Sequence, residues 1–209
     1  MIKLAIFDFD STLMDGETLE ILAKEIGLQE KIASITKKAM EGELDFFESL
    51  IERVKFLEGL DVSKINSICK NLPMMIGAKE IVTELKKAGM TVICFSGGFK
   101  NATIPAKDFL GLDGEFSNIF HVKNNKLTGL VGGEMMFNDS KGNVLLNLQS
   151  ILKITPEETM TVGDGANDRS MFQHSATRVA FCAKEILKKE ANIIVEQKDL
   201  TKILDKINL

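Results

Sequence analysis

Four aspartates in two short motifs are the residues of this chain whose types and spacing best suit chemistry. Asp8 and Asp10 follow an apolar run at the start of the chain, and Asp164 and Asp168 follow another near its end. Carboxylates at the ends of buried strands lose their hydration, which is costly unless a cation or a reaction uses them. If folding brings the motifs together, the sequence predicts a divalent metal site with one aspartate free to attack an electrophile.

The first motif sets its two acids two residues apart. The period of a strand points Asp8 and Asp10 the same way, while Phe7 and Phe9 point toward packing. One carboxylate could attack phosphorus while the other handles the proton of the leaving group. The alternative is a pair of exposed turn aspartates that cap a helix.

The second motif, residues 163–168, reads Gly-Asp-Gly-Ala-Asn-Asp. A helix that begins near Ala166 would set Asp168 about one turn beyond Asp164, on the same side. Such oxygen ligands suit Mg²⁺, which binds through a few carboxylates together with water and phosphate. An N-cap aspartate beside a turn glycine would explain Asp164 but not both acids.

Two further segments have residues that suit an anion. Ser96 and Gly97 follow a predicted strand, where a hydroxyl and closely approaching backbone N–H groups can bind phosphate. Lys141 precedes a helix, where its charge does not favour the helix dipole, so the sequence suggests that it pairs with an anion elsewhere. An ordinary strand-to-helix turn and a solvated surface lysine remain the alternatives.

The hydrophobic periodicity predicts an α/β fold whose core is a doubly wound, Rossmann-like parallel sheet. Short buried strands are predicted at 4–7, 91–95, 160–162 and 179–181, and core helices at 78–88, 101–110, 142–152 and 184–190. Residues 17–72 show only helical pattern, and 116–132 suggest a small β-hairpin around Asn124-Asn125. We therefore predict a catalytic core of 1–14 and 74–209, with a helical cap, 15–73, inserted after the first strand.

Composition excludes several classes of partner. The 209 residues are 44% hydrophobic and 27% charged, with a formal net charge of −4. This balance favours neither nucleic acid nor a membrane surface, and no apolar run is long enough to span a bilayer. Three widely separated cysteines, in no metal-ligand spacing, indicate buried thiols in a reducing cytoplasm. The sequence makes no prediction of the oligomeric state.

Taken in order, the four segments resemble the motifs of the haloacid dehalogenase-like phosphatases, and among these the phosphoserine phosphatases most closely. The likeness runs through essentially the whole chain. It implies that Asp8 is a nucleophile that forms a phosphoaspartyl intermediate, and that Asp10 protonates the leaving alkoxide and then deprotonates water. It also implies Mg²⁺ as cofactor. Asp8, Asp164 and the backbone carbonyl of Asp10 would hold this ion, with Asp168 and Asn167 in support.

The resemblance also assigns the substrate contacts. Ser96, Gly97 and Lys141 would bind the transferring phosphoryl group. In the cap, Glu17 would face an ammonium group and Arg53 a carboxylate, with Met40 and Phe46 closing over the substrate.

The rarity of arginine in this chain is separate support for the role assigned to Arg53. Only three of the 26 basic side chains are arginines, and an arginine where lysine is the default suggests a planar, bidentate partner such as a carboxylate. The alternative is a surface ion pair with a nearby glutamate, Glu48 or Glu52.

The sequence therefore predicts a Mg²⁺-dependent phosphomonoesterase that hydrolyses O-phospho-L-serine to L-serine and phosphate. One alternative keeps the chemistry but changes the substrate to another small phosphorylated amino acid or alcohol, or the acceptor to a group other than water. Another is a non-enzymatic receiver domain that accepts a phosphoryl group and switches a partner. The second acid, Asp10, argues against a receiver, because a slow switch has no need to deliver and remove protons.

Overall fold

The computed structural model describes residues 1–207 and is built on a seven-stranded sheet in the order β4-β3-β2-β1-β5-β6-β7. Neighbouring strands pair in parallel except for β3 and β4, which are antiparallel. The strands are β1 Leu4–Asp8, β2 Thr91–Phe99, β3 Gly114–Lys123, β4 Lys126–Gly133, β5 Thr159–Gly163, β6 Thr177–Phe181 and β7 Ile193–Val195. The predicted α/β fold with a mostly parallel sheet is confirmed.

Helices pack on both faces of this sheet. Ala5 and Phe7 of β1 join the larger apolar core, whereas Leu4 and Ile6 join a second, smaller core. This alternation is typical of a doubly wound sheet that is covered on both sides. The α-helices are α1 Thr18–Ala23, α2 Gln29–Met40, α3 Phe46–Lys55, α4 Val62–Cys69, α5 Ala78–Lys87, α6 Lys100–Leu110, α7 Ser140–Leu152, α8 Arg169–Phe172 and α9 Glu185–Lys188.

The elements differ from the sequence prediction in three places. The pattern predicts no strand at β7, which has only three residues. The predicted helix 184–190 is shorter, and α9 covers only its middle. β2 continues through Ser96 and Gly97, beyond the end of the strand predicted at 91–95, because its pairing with β3 resumes at Phe99 after a register shift.

The hairpin forms at the predicted place but is not a separate unit. Asn124 and Asn125 both have positive φ, 50° and 60°, which a two-residue turn between twisted strands requires. β3 pairs with β2, so the hairpin forms one edge of the main sheet.

Four helices, α1 to α4, lie between β1 and α5 and form the helical insert. The loop between α3 and α4 is joined to the hairpin by backbone hydrogen bonds. Gly59 donates to Leu127 at 2.8 Å, Leu127 donates to Leu60 at 2.9 Å, and Val62 donates to Asn125 at 3.0 Å. The insert therefore contacts the sheet edge through main-chain bonds as well as through side chains. Within residues 1–207, no helix has both the length and the apolar character needed to cross a membrane.

β1 lies at the point where the winding of the sheet changes direction. The chain passes from β1 to β2 on one side and later returns to β5 on the other. Parallel α/β sheets bind ligands outside the carboxyl ends of their strands at such a point. The two acidic motifs follow β1 and β5 there, with the helical insert above them.

Candidate active site

The two acidic motifs converge at the carboxyl ends of β1 and β5. Asp8 is the last residue of β1, and Asp164 directly follows β5. One carboxylate oxygen from each of Asp8, Asp164 and Asp168 lies within 4.8 Å of the other two. All three side chains are buried, so solvent screens their mutual repulsion poorly.

Lys141, in the first turn of α7, places its ammonium group between two of these acids. Its Nζ lies 2.5 Å from Asp8 Oδ1 and 2.6 Å from Asp168 Oδ1, and 3% of its side chain is exposed. Burial disfavours the ammonium, but attraction to Asp168 and Asp8 outweighs burial and holds the pKa of Lys141 above its ordinary value. Lys141 is thus a fixed buried cation, and the solvated surface lysine that the sequence also allowed is not observed.

Asp168 uses both carboxylate oxygens to hold the site together. Oδ1 binds Lys141, while Oδ2 accepts hydrogen bonds from the backbone N–H groups of Asp164 at 2.9 Å and Gly165 at 3.1 Å. A Cβ atom on Gly163 would lie 2.3 Å from Asp168 Oδ2, so a side chain at 163 would displace this carboxylate. Asp168 therefore positions the neighbouring acid and the lysine.

This acid cluster has the chemistry of a site for a hard divalent cation. Burial, followed by repulsion from Asp168, raises the pKa of Asp8 to about 7. Burial and repulsion from Asp8 and Asp168 also raise the pKa of Asp164. Asn167 adds a buried side-chain oxygen that has no hydrogen-bond partner among the described residues. Because oxygen donors are the ligands that Mg²⁺ and Ca²⁺ prefer, the residues present fit a metal that would offset this repulsion.

Asp10 directs one carboxylate oxygen to the start of α1. Its Oδ1 accepts hydrogen bonds from the backbone N–H of Thr18 at 2.9 Å and from the Thr18 hydroxyl at 2.5 Å. Asp10 thus binds the first turn of α1 from outside the helix, and Asp8 instead binds Lys141, so the two acids are not the exposed capping pair that the sequence also allowed. Burial raises the pKa of Asp10 in spite of these donors, which favours a proton on this carboxyl group.

The polar end of β2 lies beside Asp8, which pairs with Phe95 in the sheet register. Ser96 Oγ accepts a hydrogen bond from the backbone N–H of Gly98 at 2.9 Å, and its own O–H donates to no other group among the described residues. The pairing with β3 shifts register over this stretch. A hydroxyl donor and two glycines next to the acid cluster provide groups that suit an anion.

A cavity lies between the carboxyl ends of the central strands and the helical insert. Its lining combines acids from the sheet with one cation and several apolar side chains from the insert: Asp8, Asp10, Glu17, Leu19, Met40, Phe46, Leu50, Arg53, Gly97, Gly98, Asp164 and Asn167. Such a cavity suits a small molecule that carries both charged groups and a short apolar part.

Glu17 is the acid that the insert contributes. It precedes α1, and its Oε1 accepts a hydrogen bond from Ser11 Oγ at 2.7 Å. Burial, followed by repulsion from Asp10, raises the pKa of Glu17 to about 8. A ligand with a positive charge would stabilise the ionised form of this carboxylate.

Arg53 is the cation that the insert contributes. It is 4% exposed, and its Nε donates to the backbone carbonyl of Ser49 at 3.1 Å, while Nη1 donates to Thr36 Oγ1 at 3.0 Å. Burial lowers the pKa of Arg53, although attraction to Glu17 and Asp10 opposes this effect. The surface ion pair with a glutamate that the sequence also allowed does not form among the described residues.

The structure brings all twelve predicted site residues to one region, in two layers. Nine line the cavity, whereas Ser96, Lys141 and Asp168 lie directly behind its surface. Gly98, the second glycine after Ser96 in the anion-binding segment, also lines the cavity. The sequence did not indicate as site residues Leu19 and Leu50, which also line it, or the hydroxyls of Ser11, Thr18 and Thr36, which hold the charged side chains. These residue types are common on any helix or turn, so no sequence signal distinguishes them.

The chain is similar to proteins of known activity over almost its entire length. The profile of the family described as haloacid dehalogenase-like hydrolase matches residues 2–175. A phosphoserine phosphatase of Wolinella succinogenes is 60% identical over 202 residues, which are 97% of this chain and 98% of the relative. A solved phospho-aspartyl intermediate analogue of phosphoserine phosphatase superposes with a TM-score of 0.96 at 45% identity, covering 99% of each chain. A substrate-bound phosphoserine phosphatase complex gives the same TM-score and identity, covering 100% of this chain and 99% of the other.

Proposed function

This chain belongs to the haloacid dehalogenase-like hydrolase family, and we infer that it is a phosphatase that hydrolyses O-phospho-L-serine to L-serine and phosphate. The observation that carries this inference is the cavity, where a buried nucleophile and a second acid face Glu17 and Arg53. A phosphoryl group at the sheet edge, with an ammonium and a carboxylate toward the insert, matches that distribution of charge. The similarity to phosphoserine phosphatases along nearly the full length of both chains supports the same substrate.

In the first step, a carboxylate oxygen of Asp8 attacks phosphorus and the bond between phosphorus and the serine oxygen breaks. Asp10 gives its proton to that oxygen, so serine leaves as the neutral alcohol. The raised pKa of Asp10 suits a group that must carry a proton at this point. The product is a phosphoaspartyl group on Asp8.

In the second step, water attacks the phosphorus of the phosphoaspartyl group and the bond to the Asp8 oxygen breaks. Asp10, now ionised, takes the proton of the attacking water and returns to its starting form. Phosphate leaves and the Asp8 carboxylate is restored. One carboxyl group acts as acid and then as base because the two steps have opposite proton demands.

We propose that the divalent cation is Mg²⁺. Asp8, Asp164 and the backbone carbonyl of Asp10 would hold it, with Asp168 and Asn167 in support. When bound, the cation neutralises phosphoryl charge that a cluster of carboxylates would otherwise repel. Lys141 supplies a further positive charge, because its buried ammonium orients Asp8 and favours negative charge on the transferring group. Ser96 and Gly97 bind the phosphoryl oxygens through a hydroxyl and a backbone N–H.

We propose that residues 15–73 close over the substrate as a cap on a core of 1–14 and 74–209. Glu17 then binds the ammonium group and Arg53 the carboxylate, while Met40 and Phe46 exclude water from the first step. Three free thiols, two of them buried, support the proposal that the protein works in the reducing cytoplasm.

The experiment that tests this function measures phosphate release from O-phospho-L-serine with and without Mg²⁺. The wild type should turn over many equivalents, and Asp8→Asn should reduce kcat to background while the protein remains folded. Asp108→Asn is the matched control, because this aspartate has a 68% exposed side chain on α6, away from the site. A folded, Mg²⁺-loaded wild type that releases no phosphate would refute the proposal.

A panel of small phosphomonoesters tests the alternative substrates, and added alcohols test transfer to acceptors other than water. Membership of a hydrolase family argues against the receiver-domain alternative. Asp10 lies in the cavity, close to the nucleophile, as catalytic phosphate release needs.

A further inference from the structure

The guanidinium of Arg53 is held in the cavity wall by two neutral acceptors. Nε donates to the Ser49 carbonyl and Nη1 donates to Thr36 Oγ1. No carboxylate oxygen lies within 4.0 Å of the guanidinium among residues 1–207, although Arg53 is almost fully buried. Its remaining N–H groups therefore have no anionic partner within the described part of the chain, and they belong to a side chain that lines the cavity.

The two groups that accept hydrogen bonds from Arg53 lie on different helices. Ser49 lies four residues before Arg53 on α3, so its carbonyl is part of the same helix. Thr36 lies on α2, is 3% exposed, and is bonded across the helix–helix contact at 3.0 Å. Within the described residues, its hydroxyl is the one side-chain group bonded to Arg53. Together with the bond from Nε to the Ser49 carbonyl, the contact with α2 fixes the guanidinium plane at two points, and a substitution at residue 36 can remove the second of them.

We propose that Thr36 is a positioning residue that determines the preference of this site for phosphomonoesters that carry a carboxylate. It acts through Arg53, by fixing the plane in which the free N–H groups of the guanidinium are presented. The proposal rests on the proposed function, because it requires Arg53 to receive the substrate carboxylate.

The physical reason is preorganisation. A planar guanidinium binds a carboxylate through two parallel N–H···O bonds only when its plane is aligned with that carboxylate. An arginine free to rotate must lose side-chain entropy on each binding event, whereas the bond to Thr36 removes that freedom before the substrate arrives. Without the hydroxyl, one N–H of Nη1 is buried without an acceptor, and the guanidinium turns to find another.

The test compares Thr36→Val, which keeps the shape but removes the hydroxyl, with Thr36→Ser, which keeps the hydroxyl. Steady-state kinetics on O-phospho-L-serine should show KM raised about tenfold in Thr36→Val, a factor equivalent to about 1.4 kcal/mol. We expect kcat to change much less. The inhibition constant of inorganic phosphate should stay at the wild-type value in both variants, because phosphate lacks the carboxylate.

Three controls distinguish the loss of the Thr36 hydroxyl from a disturbance of α2 or of the whole fold. Thr36→Ser should keep a KM close to that of the wild type, and so should Ser34→Ala, which removes an exposed hydroxyl from the same helix. Thermal unfolding identifies variants that are not folded, and if Thr36→Val fails that test, Thr36→Ala replaces it with the same expectation.

Distinct results would overturn distinct statements. An unchanged KM in Thr36→Val, an equal loss in Thr36→Ser, or a parallel rise in the phosphate inhibition constant would each overturn the role of Thr36. If Arg53→Ala raises KM while Thr36→Val does not, the carboxylate contact of Arg53 stands and only the inference about Thr36 fails. Absence of phosphoserine hydrolysis in the wild type would instead refute the proposed function itself.

Discussion

The ring of Phe46 lies directly against Gly97, so a Cβ atom on Gly97 would stand 2.4 Å from Phe46 Cζ. Phe46 begins α3 of the helical insert, whereas Gly97 belongs to β2 of the sheet. A second contact repeats the relationship, because a Cβ atom on Gly165 would lie 2.6 Å from Met40 Sδ. The insert is therefore seated on glycines beside the acid cluster, where side chains would hold it away.

Gly97→Ala should weaken substrate binding, because the added methyl group displaces the Phe46 ring from its seat. We expect KM for phosphoserine to rise about tenfold or more, the effect of losing roughly 1.4 kcal/mol. Gly132→Ala is the matched control, since a Cβ atom at Gly132 meets nothing within 4 Å. Equal kinetics in the two variants would show that this contact has no part in binding.

Lys141→Met should destabilise the metal-free protein, because two buried carboxylates then lose their shared cation. Removing one partner of a buried ion pair costs about 3–5 kcal/mol. Denaturant unfolding in the presence of a chelator measures the loss. Lys38→Met makes the same change at an exposed position of α2, and we expect it to alter stability by less than about 0.5 kcal/mol. A similar, small effect in both variants would contradict the structural role of Lys141.

The metal-free protein should lose stability as pH rises from about 5 to 8, in part through Glu17. The pKa of Glu17 is about 8 in the folded protein, against an ordinary value of 4.5. Between these values the folded state keeps a proton that the unfolded chain releases, so this contribution is complete below pH 4.5 and is lost toward pH 8.

Glu17→Gln removes that titration, so its stability should fall less steeply with pH. The unfolding free energy of each protein is measured without metal at pH 5 and at pH 8. Its decrease between these pH values should be smaller in Glu17→Gln than in the wild type by at least about 1 kcal/mol. Glu30→Gln changes an exposed glutamate of α2 and provides the comparison. Parallel pH profiles for Glu17→Gln and the wild type would rule out a protonated Glu17 in the folded protein.

Mg²⁺ should raise the unfolding temperature of the wild type, because it binds the folded acid cluster and not the unfolded chain. At a free concentration of 100 Kd the expected stabilisation is about 2.7 kcal/mol. Asp164→Asn should abolish most of this shift, while Asp205→Asn, with a 71% exposed side chain, should retain it. A full Mg²⁺ response in Asp164→Asn would place the metal elsewhere.

Phe47 and Phe137 should stabilise the closed arrangement of the insert on the core. Their rings are stacked with centroids 5.0 Å apart, and Asn138 next to Phe137 donates to Asp45 at 3.1 Å. A double-mutant cycle in kcat/KM between Phe47→Ala and Phe137→Ala should give a coupling of about 0.5–1.5 kcal/mol.

The control is a second cycle in which Phe109→Ala is used in place of Phe137→Ala. Phe109 is 56% exposed and Phe137 55%, but Phe109 lies on α6. Phe47→Ala and Phe109→Ala should be additive. Additivity in both cycles would mean that the aromatic stack makes no contribution to catalysis.

Local pattern was enough to predict the sheet and most of its helices. β1 is five buried, mainly apolar residues, and the Asn-Asn pair marks the hairpin turn because these residues tolerate positive φ. Pattern failed at β2, where a strand continues through two glycines. Its length depends on pairing with β3, a long-range contact that no local propensity encodes.

What the sequence alone determined is the chemistry: Asp8, Asp10, Asp164 and Asp168 in two recognisable motifs, with Ser96 and Lys141 as groups that suit an anion. Only the tertiary structure decided which charge faces which. It placed Lys141 between Asp8 and Asp168, turned Asp10 to Thr18, and bonded Arg53 to Thr36. The physical reason is that residue type limits which bonds a side chain can make, whereas its partners depend on packing between segments that are far apart in the chain.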